Sequence, residues 1–132
     1  MRIIGIVSSP HRNGNGATLV REALRGAQEG GAEVAEVFLP DYQVQYCRDC
    51  GACIKTGRCA VDDDYPQLRA QLCAADGIIL SSPTYGPGMC ARMKNLLDRL
   101  GQYAFLTSTL GGKYVAAIST ASSFGARKVA VG

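Results

Sequence analysis

The 132-residue chain has no tryptophan, a single histidine and an aromatic content of only 7%. Surfaces that hold single-stranded nucleic acid stack bases on aromatic rings, so a chain this poor in them is a weak candidate for that role. A basic stripe is missing as well. Fourteen basic and eleven acidic residues leave a net charge of +3 with no run of Lys or Arg. Both absences argue against a nucleic-acid partner. No segment approaches the roughly twenty apolar residues of a membrane span. The apolar opening MRIIGIVSSP is too short for a secretory signal and runs straight into a polar turn. A cytoplasmic location is therefore expected, where thiols stay reduced.

What is present is an ordinary globular balance, 47% hydrophobic and 19% charged. The length suits one domain, residues 1–132, with a core that needs no disulfide staples. There is no internal repeat, linker or low-complexity stretch. Residues 2–8 (RIIGIVS) form a β-branched apolar run that predicts a buried strand. A turn, SPHRNGNG, precedes a helical segment in which Leu19, Ala23 and Ala27 recur at i, i+4, i+8 beside Val20 and Leu24. Gly30 and Gly31 end it. Residues 33–39 predict a second strand, closed by Pro40. Asp62, Asp63 and Asp64 then place acid at the start of a helix, YPQLRAQLCAA, with Pro66 in its first turn. Residues 77–82 predict a third strand, SPTYGPG a turn, MCARMKNLLDRLGQYAF a long helix, and residues 113–120 a fourth strand.

Strands alternating with helices specify an α/β fold, a doubly wound parallel sheet covered on both faces. In such sheets ligands sit beyond the carboxyl ends of the strands, where every Gly/Ser-rich turn of this chain falls. The first turn, residues 8–16 (SSPHRNGNG), leads directly into a helix. Its backbone N–H groups, with Ser and Asn side chains alongside, form an anion cradle. The alternative is a polar turn that caps a helix and binds nothing. The turn is neither a Walker A loop nor GxGxxG, since it lacks the GK[ST] lysine and the glycine spacing. Arg12 and a protonated His11 offer further positive charge, although His11 itself reads as a turn residue rather than a general base.

Four of six cysteines, Cys47, Cys50, Cys53 and Cys59, fall within CRDCGACIKTGRC, residues 47–59. Reduced surroundings disfavour a disulfide knot and favour metal. Two-residue gaps let three thiolates turn inward from one tight loop, and a longer excursion bent at Gly57 brings the fourth. That pattern suits a 4Fe–4S cluster, akin to the CxxCxxCxxxC run of bacterial ferredoxins, though here all four would serve one cluster. Zinc also takes four thiolates, but its knuckles usually come as two separated CxxC pairs. Zinc and free thiols stay open as alternatives. Cys73 and Cys90 read as small core residues, and Met89 and Met93, one helical turn apart, as packing.

Taken together, the first turn, the S-P-T-Y-G stretch of residues 82–86 with its MKNLLDR helix, the T-A-S-S-F-G turn of residues 120–125 and the cysteine loop resemble the NADPH-dependent FMN reductase superfamily, and within it the iron–sulfur flavoproteins. The resemblance implies a flavodoxin-like sheet in the order 2-1-3-4. It implies an FMN phosphate on Ser9, Asn13 and Asn15, in a loop where His11 stands for the usual Arg and Gly16 for the usual Thr. It also implies an isoalloxazine ring framed by Pro83, Thr84, Tyr85 and Gly86 with Thr120, Ala121 and Ser122. Flavodoxin-like domains have five strands, whereas GARKVA resembles the start of the next helix and no segment follows for a fifth. The polypeptide is then either a fragment or shown without some of its residues.

The implied cofactors are FMN and one 4Fe–4S cluster, and no side chain has to be an acid, base or nucleophile. The expected function is electron transfer between a carrier such as ferredoxin and an acceptor. A cysteine loop that follows strand two should lie near a phosphate loop that follows strand one. Two rivals remain: an NAD(P)H-dependent FMN or quinone reductase with zinc-bound or free cysteines, and a redox- or metal-sensing binding protein. The relatives imply a homodimer or homotetramer.

Overall fold

β-branched apolar runs and amphipathic helices alternate through the computed structural model. It describes residues 1–107 and 110–131, with 102–107 and 131 described by backbone alone. The elements are β1 (Arg2–Val7), α1 (Asn15–Glu29), β2 (Glu33–Phe38), α2 (Ala52–Thr56), α3 (Tyr65–Ala74), β3 (Gly77–Tyr85), β4 (Gly88–Met89), α4 (Ala91–Thr107), β5 (Tyr114–Thr120) and α5 (Ala126–Val131). The parallel strands lie in the order β2-β1-β3-β5, with Ile4 opposite Ala35 on one side and Ile78 on the other. Since β5 is the fourth long strand, this is the expected 2-1-3-4 order. No helix among the described residues is long and apolar enough to cross a membrane.

The third strand departs from expectation. β3 continues through Pro83 and Thr84 to Tyr85, then folds back into β4, pairing Thr84 with Met89 and Tyr85 with Gly88. Gly86, at φ +58°, makes this reversal, and the Ser82 hydroxyl accepts the Cys90 N–H at 3.0 Å to close it. Residues 82–85 are therefore extended rather than a turn. Met89 lies in β4, and Met93 in α4 is buried.

Core residues occupy both faces of the sheet. Ile4, Ile6, Val37 and Ile78 pack with Leu68 and Leu72 of α3 and Met93, Leu96 and Leu100 of α4. Val7, Phe38 and Ile79 pack with Ala17, Val20 and Leu24 of α1. The buried stripe of α1 is thus rotated from the expected one: Leu19 is 47% exposed and Ala23 is exposed too. Gly5 explains the rotation. A Cβ built there would lie 2.5 Å from Val20 Cγ1 and 3.0 Å from Leu24 Cδ1. Val20 and Leu24 therefore fill the space over a bare backbone. Gly5→Ala is expected to overpack this contact and cost about 1–3 kcal/mol, read as a lower urea midpoint with unchanged slope.

Candidate functional site

The first turn begins where β1 ends. Ser8 is fully buried, and both its N–H (3.0 Å) and its hydroxyl (2.7 Å) donate to the Ser81 carbonyl. Ser9 accepts the His11 N–H at 3.1 Å, and Gly14 N–H donates to the His11 carbonyl at 3.1 Å. α1 then starts behind an extended Gly14 that makes no side-chain cap, with no acid in its first turn. Its leading N–H groups have no acceptor within the helix and stand at the positive end of the dipole. That is the geometry of a phosphate cradle, so the turn fits an FMN phosphate. His11, Asn13 and Asn15 are exposed around it, while Ser9 and Gly16 are buried.

Arg12 does not join the cradle. It pairs with Asp41 and stacks 4.0 Å over the Phe38 ring. Arg21 does what the sequence did not suggest. Held by Glu36 at 2.8 Å, it donates to the Arg12 carbonyl at 3.0 Å and to the Asn13 side chain at 3.4 Å, bracing the turn from below.

The other two loops gather beside the first. A Cβ on Gly16 would lie 3.0 Å from Ser81 Oγ and 3.8 Å from Thr120 Oγ1. A threonine at this position would need the Ser81 hydroxyl to give by a few tenths of an ångström. Thr84 and Ser119 hydroxyls meet at 3.1 Å, and Gly125, at φ +91°, backs onto the Thr84 methyl. Pro83 and Thr84 are half-buried, Tyr85 and Gly86 exposed, Thr120 half-buried, Ala121 and Ser122 exposed. Cys90 is buried, as expected, with its sulfur 3.1 Å from the Ser8 hydroxyl, so it ties the first loop to the second. A cavity of about 610 Å³ leads from Ser8, Pro10 and Tyr85 past Cys90 to Val44, Tyr46 and Asn95. It joins this cluster of loops to the segment that carries the cysteines.

That segment is fastened to α3 and α4 by polar side chains. Asp64 accepts the Gln43 N–H at 2.7 Å, Asp63 accepts the Gln45 N–H at 2.8 Å, and Asn95 donates to the Val44 carbonyl. Arg99 of α4 is the centre of the arrangement. Its Nη1 meets Asp63 at 2.6 Å and the Gln45 carbonyl at 2.9 Å, its Nη2 donates to Cys59 Sγ at 3.1 Å, and its guanidinium stacks 4.1 Å over Tyr65. The side chains of Arg99 and Asp63 are 1% and 2% exposed. Asp63 and Asp64 thus bind the cysteine segment, rather than merely complementing the dipole of α3 as the sequence suggested. Burial alone would push the Asp63 carboxyl up. The Arg99 guanidinium and the N–H groups of Gln45 and Tyr65 outweigh it and hold the group below the usual carboxylate range. Burial pushes the Tyr65 hydroxyl up to about 12, and it donates to the Arg99 carbonyl at 2.9 Å.

Within the loop, left-handed Gly51 and Gly57 bracket the single turn of α2, an element the sequence reading did not include. Cys47, Cys53 and Cys59 line one cavity of about 430 Å³ with Tyr65 and Arg99, while Cys50 is exposed. Among the described residues, no three His, Cys, Asp or Glu side chains are gathered closely enough to hold a metal ion. The donor set around the cavity, three thiols with a buried guanidinium beside them, has the chemistry that iron–sulfur clusters use. Arg99 lies eight residues along α4 from Ala91, about 12 Å from the helix start that follows the second loop.

A family model described as NADPH-dependent FMN reductase matches residues 1–131. Curated relatives named iron–sulfur flavoprotein include one from Archaeoglobus fulgidus, 35% identical over 114 residues (86% of this chain, 51% of the relative). Another, from Methanocaldococcus jannaschii, is 41% identical over 99 residues (75% of this chain, 51% of the relative). A third, from Methanosarcina thermophila, is 36% identical over 123 residues (93% and 64%). The chain therefore spans about half the length of the first two. Among solved structures, a flavone reductase superposes with a TM-score of 0.76 at 26% identity, covering 98% of this chain and 46% of that one. An NAD(P)H:quinone oxidoreductase from Methanothermobacter marburgensis superposes with a TM-score of 0.77 at 14% identity (94% and 65%), a likeness of fold alone.

Proposed function

Because the chain belongs to the NADPH-dependent FMN reductase family, we propose that it is a flavin-dependent oxidoreductase of the iron–sulfur flavoprotein kind, moving electrons between a small carrier and an acceptor. One observation carries this reading. The cysteine segment is built onto α4, whose start adjoins the second of three loops gathered at the carboxyl end of the sheet. When bound, FMN supplies a one- or two-electron acceptor and a 4Fe–4S cluster a one-electron one.

The chain's own residues hold and orient these groups. The N–H groups opening α1, with Ser9, Asn13 and Asn15 and the backbone at His11 and Gly16, receive the phosphate. Pro83, Thr84, Tyr85 and Gly86 face Thr120, Ala121 and Ser122 across the ring position. Cys47, Cys50, Cys53 and Cys59 supply the sulfurs. The carrier is ferredoxin-like or NAD(P)H, and the working protein is a cytoplasmic homodimer or homotetramer, as the resemblance implies.

After anaerobic reconstitution, iron and acid-labile sulfide should each reach about four per chain. Stoichiometric zinc without sulfide would overturn the cluster. The flavin half has its own test. Asn15→Asp sets a negative charge against the phosphate at a helix start, where acid otherwise favours the helix. The fold should persist while FMN affinity, followed by flavin fluorescence, falls at least about tenfold, or 1.4 kcal/mol. Unchanged affinity would place the phosphate elsewhere.

A further inference from the structure

Arg99 is a charged side chain committed to the interior, and the flavin loops make no use of it. Its residue is 3% exposed, at the wall of the cavity that the cysteines line. Nη1 serves Asp63 and the Gln45 carbonyl, Nη2 serves Asp63 and Cys59 Sγ, and Nε is buried with no partner among the described residues. A buried ion pair is a poor device for stability alone, because well-packed apolar residues often do as well. The Asp63 carboxylate already fastens the segment to α3, accepting the N–H of Gln45 and that of Tyr65. The bond to Cys59 is the one contact Arg99 makes with a sulfur, at 3.1 Å and beside the 430 Å³ cavity. The planar guanidinium can reach the carboxylate and the sulfur at once, a geometry lysine cannot copy.

We propose that Arg99 is a positioning residue that fixes the Cys59 sulfur and, through its N–H···S bond, raises the reduction potential of a cluster held by the cysteine loop. The inference rests on the proposed function. Reduction adds one electron from the carrier to the cluster and its four thiolates, making the whole one charge more negative, with no bond or proton exchanged. A cation and an N–H donor on a ligand sulfur stabilise the more negative state, and hydrogen bonds to sulfur are among the levers that set such potentials. Asp63 keeps the guanidinium charged and oriented, its Oδ2 on Nη1 and its Oδ1 sharing Nη2 with the sulfur, so the directed N–H···S bond rather than net charge carries the effect.

The test compares the reconstituted parent with two variants, Arg99→Lys and the double Asp63→Asn/Arg99→Met. The double removes both charges together, so neither is left buried alone. Cluster potentials are read from anaerobic redox titrations followed by electron paramagnetic resonance. The double variant should show at least a tenfold smaller reduced-to-oxidised ratio at a fixed solution potential, about 59 mV for one electron. Arg99→Lys should fall between it and the parent. Loaded variants with the parent's potential would overturn the inference and leave the proposed function standing. A parent that takes up no iron and sulfide would overturn both. If the double variant fails to load, the potential of Arg99→Lys decides alone. Failure of both to load, with unchanged unfolding midpoints, would make Arg99 a scaffold residue and overturn the tuning.

Discussion

On the proposed function, Cys53→Ser is expected to strip most of the iron from the reconstituted protein and to slow carrier-driven flavin reduction at least about hundredfold, while FMN still binds. Serine oxygen is a harder ligand than thiolate and serves iron–sulfur centres poorly. Cys53 lines the cavity from the first turn of α2, next to left-handed Gly51, so a neighbouring side chain cannot easily take its place. The loops proposed to frame the flavin are other ones, none of which contacts Cys53 through any hydrogen bond described above. Dithionite should therefore still reduce the flavin directly. Stopped-flow absorbance with a reduced ferredoxin distinguishes the two routes. Carrier-driven reduction at the parent rate would take the cysteines off the electron path and favour a reductase fed by NAD(P)H.

Asp63→Asn alone should be the most destabilising single change outside the apolar core. It leaves the Arg99 charge 1% exposed with no carboxylate, and breaking a buried pair from one side costs about 3–5 kcal/mol. A domain of this size has about 5–15 kcal/mol in all. Urea unfolding of the cluster-free chain measures the loss, and the paired replacement with Arg99→Met should recover much of it. The same group gives a pH signature. Because its folded-state pKa is depressed, Asp63 contributes stability that is fully present above the ordinary carboxylate pKa and is lost as pH falls through the lower folded value. The cluster-free parent should lose stability across that acid window, and Asp63→Asn should lose less there. Equal acid profiles would mean that the pair does not hold the segment.

The sheet was legible because its strands are apolar β-branched runs separated by helices, and that pattern is local. The face of α1 was not, because Leu19 and Val20 are equally apolar and only Gly5, on another element, decides between them. The extension of β3 through Pro83 was hidden for a similar reason. A Ser-Pro-Thr-Tyr-Gly string carries turn residues, and only the Ser82–Cys90 bond shows where the turn begins. The cysteine quartet announced itself by spacing. Its support did not: Asp63 meets Arg99 across 36 residues, and Arg99 looks in sequence like one more surface charge on an amphipathic helix. The one available signal was its place beside Leu100, on the flank of the Met93–Leu96–Leu100 stripe.

The fastening of the cysteine segment also bears on the order in which the protein is made. Zinc fingers are unfolded until the ion arrives, because ion binding is their folding energy. Here Asp63, Asp64, Asn95 and Arg99 hold the segment with protein atoms alone. The proposed cluster would then be received by a segment whose place against α3 and α4 is set by the polypeptide's own hydrogen bonds.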